Sequence, residues 1–202
     1  MRRSYTPMKP SPAELRYELV TEFHDAFKVH APRQWADVSN QTAIARRTLH
    51  DEEFKEYMAA DTDVDMLDAL VDMEYIACGT QHLLAVKRPA FDHDHTLYFC
   101  QQRVMDELNK TQLCQSGLTS SLGQLRAALA KIADNNDYNL HDAFLHVHET
   151  NMKKRWKKGQ IDKIPPGAVV EPTAEGFYVV KRADGKILKP PGWEPPKLTR
   201  YI

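Results

Sequence analysis

One stretch of the chain, residues 66–86, most constrains what the sequence can fold into. It reads MLDALVDMEYIACGTQHLLAV, so apolar side chains occur on nearly every face of a helix. A helix of this composition has to be buried among other elements, which favours a helical bundle. The same stretch carries Asp68 and Asp72, four residues apart and therefore on one helical face. Ionised carboxylates in apolar surroundings are costly unless they are paired or bind a metal.

Apolar spacing predicts helices on both sides of this stretch, and hence an all-α fold. The first helix begins at Pro12 and places Leu15, Leu19, Phe23 and Phe27 on one face. Further helices are predicted over residues 40–60, 64–86, 97–115, 119–134 and 140–156, with Ser116 and Gly117 separating the fourth from the fifth.

The composition changes after residue 159, where prolines become frequent. Two short β-prone runs around Asp184 and Gly185 predict a hairpin, and the proline-rich end cannot be helical. We therefore expect a flexible arm over residues 1–12, a helical catalytic domain over residues 13–158, and a hairpin with a proline-rich tail over residues 159–202.

Charge and cysteine content exclude several functional classes. The 27 basic and 28 acidic residues leave a net charge of −1, which argues against a nucleic-acid or membrane-surface binder. No apolar run approaches about 18 residues, and the start of the chain lacks the apolar region of a signal peptide. Three cysteines without CxxC spacing favour neither disulfides nor zinc. The expected location is the cytoplasm.

Acidic residues on two successive predicted helices suggest a metal site. Glu52, Glu53 and Glu56 are spaced so that pairs of them share one helical face. Taken alone, such a pair more often forms a solvated acidic face. Facing Asp68 and Asp72, however, these carboxylates would repel one another unless a divalent cation lay between them. Oxygen ligands favour Mg²⁺, with Mn²⁺ as the alternative. Neutralisation by Arg46 or Arg47 is the structural alternative.

Two other patterns predict competing functions and are weaker. Residues 92–95 alternate aspartate and histidine, but no HExxH or spaced HD pair accompanies them. The basic run over residues 153–158 lacks the interleaved aromatic side chains expected of an RNA-binding surface and suits a solvated helix end.

Several strings, in order along the chain, resemble one superfamily. TLHDEEFKE (residues 48–56) and DALVDMEYIACGT (68–80) are similar to the paired acidic helices of the all-α nucleotide pyrophosphohydrolases, which include MazG proteins, dimeric dUTPases and phosphoribosyl-ATP pyrophosphohydrolase. EFHDAF (22–27), VHETNMKK (147–154) and RADGKILKPPGWEP (182–195) resemble a MazG-like branch common in bacteria and phages. The resemblance covers residues 14–86 and 138–198. Residues 88–136 form an insertion that is expected to add a helical hairpin.

The second acidic motif departs from the family pattern, which is usually written ExxD. Ala69 stands three residues before Asp72, whereas Asp65 stands three residues before Asp68. Asp68 and Asp72 are the preferred ligands, and Asp65 remains the alternative to either of them.

The resemblance implies a reaction and roles for particular residues. Mg²⁺ would bind a nucleoside triphosphate, and water would attack the phosphorus nearest the sugar to give a nucleoside monophosphate and pyrophosphate. The implied metal ligands are Glu53, Glu56, Asp68 and Asp72; the implied catalytic residues are Glu52 and Glu53; and the implied substrate contacts are Asn151, Lys154, Lys189 and Trp193. Trp193 could equally be a packing anchor among the prolines.

The resemblance also implies a MazG-like bundle that forms a homodimer or homotetramer, with the site built across subunits. Control of the nucleotide pool is the expected role. The sequence leaves the base and the sugar open, so a dUTP-specific hydrolase remains an alternative. A non-catalytic helical interaction protein, in which the acids form only a charged face, is the alternative from another class.

Overall fold

The computed structural model describes residues 9–86 and 96–202, so most of the predicted arm and the histidine-aspartate run over residues 92–95 lie outside the described residues. The described chain is predominantly helical and ends in a small antiparallel hairpin, which confirms the all-α class with a C-terminal hairpin. The helices are α1 (Pro12–Ala26), α2 (Asn40–Ala59), α3 (Asp63–Leu83), α4 (Leu97–Leu108), α5 (Gln115–Asn135) and α6 (Leu140–Met152); the strands are β1 (Val169–Pro172) and β2 (Tyr178–Lys181).

Hydroxyl side chains cap the first three helices. Ser11 forms a capping box with Glu14 at the start of α1, and the Ser39 hydroxyl accepts from a backbone N–H in the first turn of α2. At the start of α3, the Thr62 hydroxyl accepts from the Asp65 N–H and donates to the Asp65 carboxylate at 2.6 Å. These local bonds fix where the helices begin, as the sequence predicted to within a residue or two.

Helix α3 is the central element of the bundle, as its all-round apolar sequence predicted. It packs against α1, α2, α5 and α6. Thirteen of its residues are buried, and Leu67, Leu70, Val71 and Met73 are fully inaccessible to solvent. Burial on this scale contributes more to stability than helix propensity does.

The connection between the fourth and fifth helices differs from the prediction. Helix α4 ends at Leu108, and α5 begins at Gln115, so Ser116 and Gly117 lie in the first turn of α5 instead of separating two helices. The glycine serves close packing, because a Cβ at Gly117 would lie 2.5 Å from Oε2 of Glu107. Helices α4 and α5 pack against each other, as expected for residues 88–136.

The two paired strands form a hairpin that lies before the predicted one, and the predicted turn is present but forms little sheet. Strands β1 and β2 are joined by residues 173–177, where Gly176 has a positive φ of 81°. Asp184 and Gly185 form a second turn after β2, which leads only to an isolated bridge between Lys181 and Ile187. The sequence thus predicted the turn at Asp184 and Gly185 but not the turn after Thr173, which joins the two paired strands.

The last part of the chain packs along α6, which ends at Met152, earlier than predicted. Trp156 is buried, and its indole N–H donates to the Leu188 carbonyl at 2.8 Å. The indole N–H of Trp193 donates to the Thr150 carbonyl at 3.0 Å. Residues 182–195 are therefore attached to the bundle at several points and lie close to the predicted site.

Two further expectations concern membranes and cysteines. No helix in the described ranges is long and apolar enough to cross a membrane. The cysteines are free: Cys78 and Cys100 are buried, and Cys114 is exposed.

Candidate functional site

A cavity of about 700 Å³ opens between α2, α3, the end of α6 and the C-terminal tail. It brings together most of the residues predicted for the site from four separate parts of the chain. Its lining includes Glu53 from α2; Asp68 and Asp72 from α3; Asn151 and Lys154 from α6 and its end; and Lys189 and Trp193 from the tail.

The acidic side of the cavity holds carboxylates that resist ionisation. Burial, followed by repulsion from Asp72, raises the pKa of Glu53 to about 8. Burial and repulsion from Asp68 raise the pKa of Asp72 to about 7. The pKa of Asp68 is also raised, first by burial and then by Glu56. Three carboxyl groups on two helices are thus held in close electrostatic contact without enough positive charge to neutralise them.

Two lysines and a tryptophan form the opposite side. The Nζ atoms of Lys189 and Lys154 lie 4.2 and 5.4 Å from the Trp193 ring centroid, so both cations are close to the indole ring. Burial and the neighbouring Lys189 lower the pKa of Lys154, which Asp72 partly offsets. Trp193 is both anchored to α6 and part of the cavity lining, so the two alternatives given for it are compatible.

Glu52 and Glu56 are not among the residues that line the cavity. Both side chains are exposed on α2, although repulsion from each contributes to the raised pKa of Glu53. Asp65, the alternative ligand, is exposed and bound to Thr62 in the helix cap. Asp68 is also exposed, but it lines the cavity together with Asp72, whereas Asp65 does not. The structure therefore favours Asp68 and Asp72 over Asp65 for any role inside the cavity.

Neither arginine that was considered as a neutralising partner pairs with the acids. The Arg46 guanidinium donates to the Thr80 hydroxyl at 3.0 Å and to the Ile76 carbonyl at 2.6 Å. Arg47 is exposed and donates to Asn109. Among the described residues, no arginine forms an ion pair with Glu53, Asp68 or Asp72.

The carboxylates suit a hard divalent cation. Oε2 of Glu53 is buried without a hydrogen-bond partner, which is unfavourable unless something else satisfies it. The side chains on the acidic side of the cavity offer a metal only carboxylate oxygens. Oxygen is the ligand type that Mg²⁺ prefers. The described residues include no set of three His, Cys, Asp or Glu side chains already gathered as a metal site.

Sequence reasoning missed the other end of the cavity. There the lining includes His24 from α1, Arg46 from α2 and Tyr75 from α3. Burial raises the pKa of Tyr75, and its hydroxyl lies 3.2 Å from Nδ1 of His148. EFHDAF and the ARR tripeptide before the acidic helix contain His24 and Arg46, but nothing in their spacing shows that they meet.

A second groove of about 1290 Å³ lies along α6 and shares Trp193 with the first cavity. It is larger, but it contains none of Glu53, Asp68 and Asp72. The smaller cavity is the better candidate, because it combines crowded carboxylates, of which Glu53 and Asp72 are half-buried, with lysines and a polar inner end.

Comparisons with known proteins add nothing to this geometry. Neither the family models, nor the curated proteins, nor the solved structures gave a match to the chain.

Proposed function

We propose that the protein is a Mg²⁺-dependent nucleoside-triphosphate pyrophosphohydrolase with a MazG-like bundle. One observation carries the proposal: Glu53 and Asp72, on different helices, share a cavity with no arginine partner, and Lys154 and Lys189 face them. Crowded carboxylates opposite lysines suit a ligand that is itself a metal-bound polyanion. The order of acidic and basic motifs along the chain supports the same assignment.

Glu53, Asp68 and Asp72, which line the cavity, would hold the cation. Glu56 lies outside the lining but close enough to raise the pKa of both aspartates, so it would complete the set at the edge. When bound, Mg²⁺ would offset the repulsion among these groups and make water more acidic. Of the two predicted catalytic residues, Glu53 lines the cavity and Glu52 does not, so Glu53 is better placed to accept a proton from water.

The basic residues fit the leaving group. Water attacks the phosphorus nearest the sugar, the bond from that phosphorus to the bridging oxygen breaks, and the water proton passes to a carboxylate. Lys154 and Lys189 then stabilise the charge of the departing pyrophosphate. Asn151 lies in the lining on the same side as Lys154 and can contact the sugar through its amide.

Assembly into a homodimer or homotetramer belongs to the same proposal. Ile44 and Met58 on α2 are 60% and 66% exposed, and Tyr98 at the start of α4 is 65% exposed. Exposed apolar residues of this size support contact with another copy. Light scattering in solution measures the mass directly, and a monomer would contradict this part of the proposal.

The decisive test is product identity with and without Mg²⁺. Purified protein is incubated with each of the eight common ribo- and deoxynucleoside triphosphates, and we expect monophosphate and pyrophosphate with Mg²⁺ and neither with EDTA. In ¹⁸O-labelled water the label should appear in the monophosphate. Diphosphate and labelled orthophosphate as early products would contradict the proposal, and turnover indifferent to EDTA would remove the role of the metal.

Glu53→Gln links that activity to the cavity. The variant keeps the size of the side chain and removes its charge, so we expect activity to fall by more than about 100-fold with the fold retained. Glu18→Gln, the same change at an exposed position on α1, is the matched control and should leave activity unchanged. Full activity in Glu53→Gln would favour the interaction-protein alternative, in which the acids form only a charged face.

A further inference from the structure

Arg46 is a buried cation without a carboxylate partner at the inner end of the cavity. Arg46 is only 6% exposed, and it forms no ion pair with any described residue. Burial lowers its pKa to about 10, partly offset by Glu53, so it stays charged at neutral pH. Thr80 and Ile76 occupy two of its five N–H groups. The remaining N–H groups have no acceptor within the described ranges 9–86 and 96–202.

His24 presents the opposite hydrogen-bonding character beside it. Its Nδ1 lies 2.7 Å from the Val20 carbonyl, which can only accept, so the proton is on Nδ1. Burial lowers the pKa of this imidazole to about 4, so the ring is neutral at neutral pH. Nε2 is therefore an acceptor, and the hydrogen bonds of His24 to described residues involve only Nδ1. His24 lines the cavity, so Nε2 is free to accept from a ligand.

Gly79 on α3 allows these two side chains to meet. A Cβ at this position would lie 3.0 Å from Nη2 of Arg46 and 3.2 Å from Cε1 of His24. Both side chains thus pack against the same backbone position, and both line the inner end of the cavity. Arg46 precedes Glu53 by seven residues on α2, which separates the pair from the acidic side by about 10 Å.

We propose that this pair binds the nucleobase, and that it selects bases in which a carbonyl adjoins a ring N–H. This inference rests on the proposed function and names its substrate class. The Arg46 guanidinium would donate to the carbonyl oxygen, while Nε2 of His24 would accept from the ring N–H. Guanine, hypoxanthine, uracil and thymine present this edge. Adenine and cytosine present an amino group and a bare ring nitrogen instead, so each contact would oppose donor to donor or acceptor to acceptor.

The surroundings of the pair suit a planar ring. Phe23, Leu49 and Ile76 line the cavity near His24 and Arg46, so apolar surface is available for the faces of a base. A binding site of this kind, apolar with a few placed polar groups, derives its specificity from those groups. Leaving a buried donor or acceptor unpaired costs more than the bond itself gains.

Two matched substrate pairs test the selection. Inosine and adenosine triphosphates differ only at the edge in question, as do uridine and cytidine triphosphates, and the deoxy forms repeat both comparisons. We expect kcat/KM to favour inosine over adenosine and uridine over cytidine by at least about tenfold. Equal rates within each pair, or a preference for the amino bases, would overturn the inference while leaving the pyrophosphohydrolase assignment intact.

His24→Gln assigns the selection to the histidine. The glutamine amide can present either its carbonyl or its NH₂ group, so we expect the tenfold ratio to shrink towards one while the thermal midpoint stays close to that of the wild type. His30→Gln, at an exposed position outside the cavity, is the matched control and should keep the ratio. An unchanged ratio in His24→Gln would overturn the assignment.

A binding measurement separates this inference from the catalytic one. Calorimetric titration with inosine and adenosine 5′-monophosphates in EDTA requires neither metal nor turnover. Tighter binding of the inosine compound supports the base contact even where no hydrolysis occurs. Indistinguishable affinities for the two monophosphates would overturn the proposal. So would an Arg46→Gln variant that weakens the binding of both compounds equally, because Arg46 would then contact the phosphate that they share.

Discussion

Helix α3 carries two acidic clusters on different faces. One is buried and neutralised by arginines, and the other is half-buried at the cavity and has no arginine partner among the described residues. Glu74 is fully buried, and it accepts from Arg16 at 2.9 Å and from Arg126 at 2.8 Å. Burial alone would raise its pKa, but the two guanidiniums hold that pKa below its usual value. Asp72, only two residues earlier, has no arginine, and its pKa rises to about 7.

The difference shows which acids serve the fold and which are available for ligands. The cluster around Glu74 is complete within the chain and joins α1, α3 and α5. The cluster around Asp72 has an excess of negative charge when it is ionised, and either bound protons or an added cation can neutralise it. Breaking the first should therefore destabilise the protein, and neutralising the second should stabilise it.

The largest expected effect comes from removing Arg126. In Arg126→Met the Glu74 carboxylate stays buried with Arg16 as its remaining charged partner, and we expect the free energy of unfolding to fall by about 3–5 kcal/mol. Denaturant unfolding followed by circular dichroism measures it. Arg47→Met, an exposed change of the same type, should alter stability by less than about 0.5 kcal/mol. A small loss in Arg126→Met would mean that Arg16 alone suffices.

Asp72→Asn should have an intermediate effect of opposite sign. Without metal at pH 8, we expect the variant to be more stable than the wild type by on the order of 1–3 kcal/mol, because it removes a charge that burial and Asp68 oppose. The proposed hydrolytic activity should be lost. Asp61→Asn, at an exposed position, is the control and should change neither property.

The pH dependence identifies the cause of that gain. Between about pH 4 and 7, folded Asp72 retains a proton that the unfolded chain has released, so metal-free stability should fall as the pH rises through this interval. Asparagine does not titrate, so the variant should lose this part of the slope. Mg²⁺ at pH 8 should stabilise the wild type more than the variant. Parallel pH curves for the two proteins would contradict this account.

The smallest expected effect concerns Lys189, whose charge lowers the pKa of Asp72. In Lys189→Gln we expect the pKa of Asp72 to rise further, by less than about one unit. Carbon-13 NMR of the carboxyl groups would measure it. Lys163→Gln, exposed and outside the cavity, should leave it unchanged. A lower pKa in Lys189→Gln would show that the tail does not face the acids in solution.

Local sequence patterns predicted the acidic cluster around Asp72 in the cavity but not the cluster around Glu74 in the core. Asp68 and Asp72 share a face by helical spacing alone, and the family resemblance added Asn151, Lys154, Lys189 and Trp193, which the fold brings to the same cavity. Glu74 is different, because its partners lie 58 and 52 residues away in the sequence.

The inner end of the cavity was unpredictable for the same physical reason. The tautomer of His24 depends on a carbonyl one turn away, and the position of Arg46 depends on Thr80 and a backbone carbonyl of α3. The role of Gly79 depends on both side chains at once. Contacts between distant segments set these properties, and no spacing within one segment records them.

The sharing of α3 between the two clusters also limits how the length of this helix can change. Each residue turns a helix by about 100°, so one inserted residue between Asp72 and Glu74 would rotate everything after it relative to everything before it. Glu74 would leave its arginines, and Gly79 would no longer lie beneath Arg46 and His24. Substitutions can alter either cluster separately, whereas a single-residue insertion or deletion in this helix would disrupt both at once.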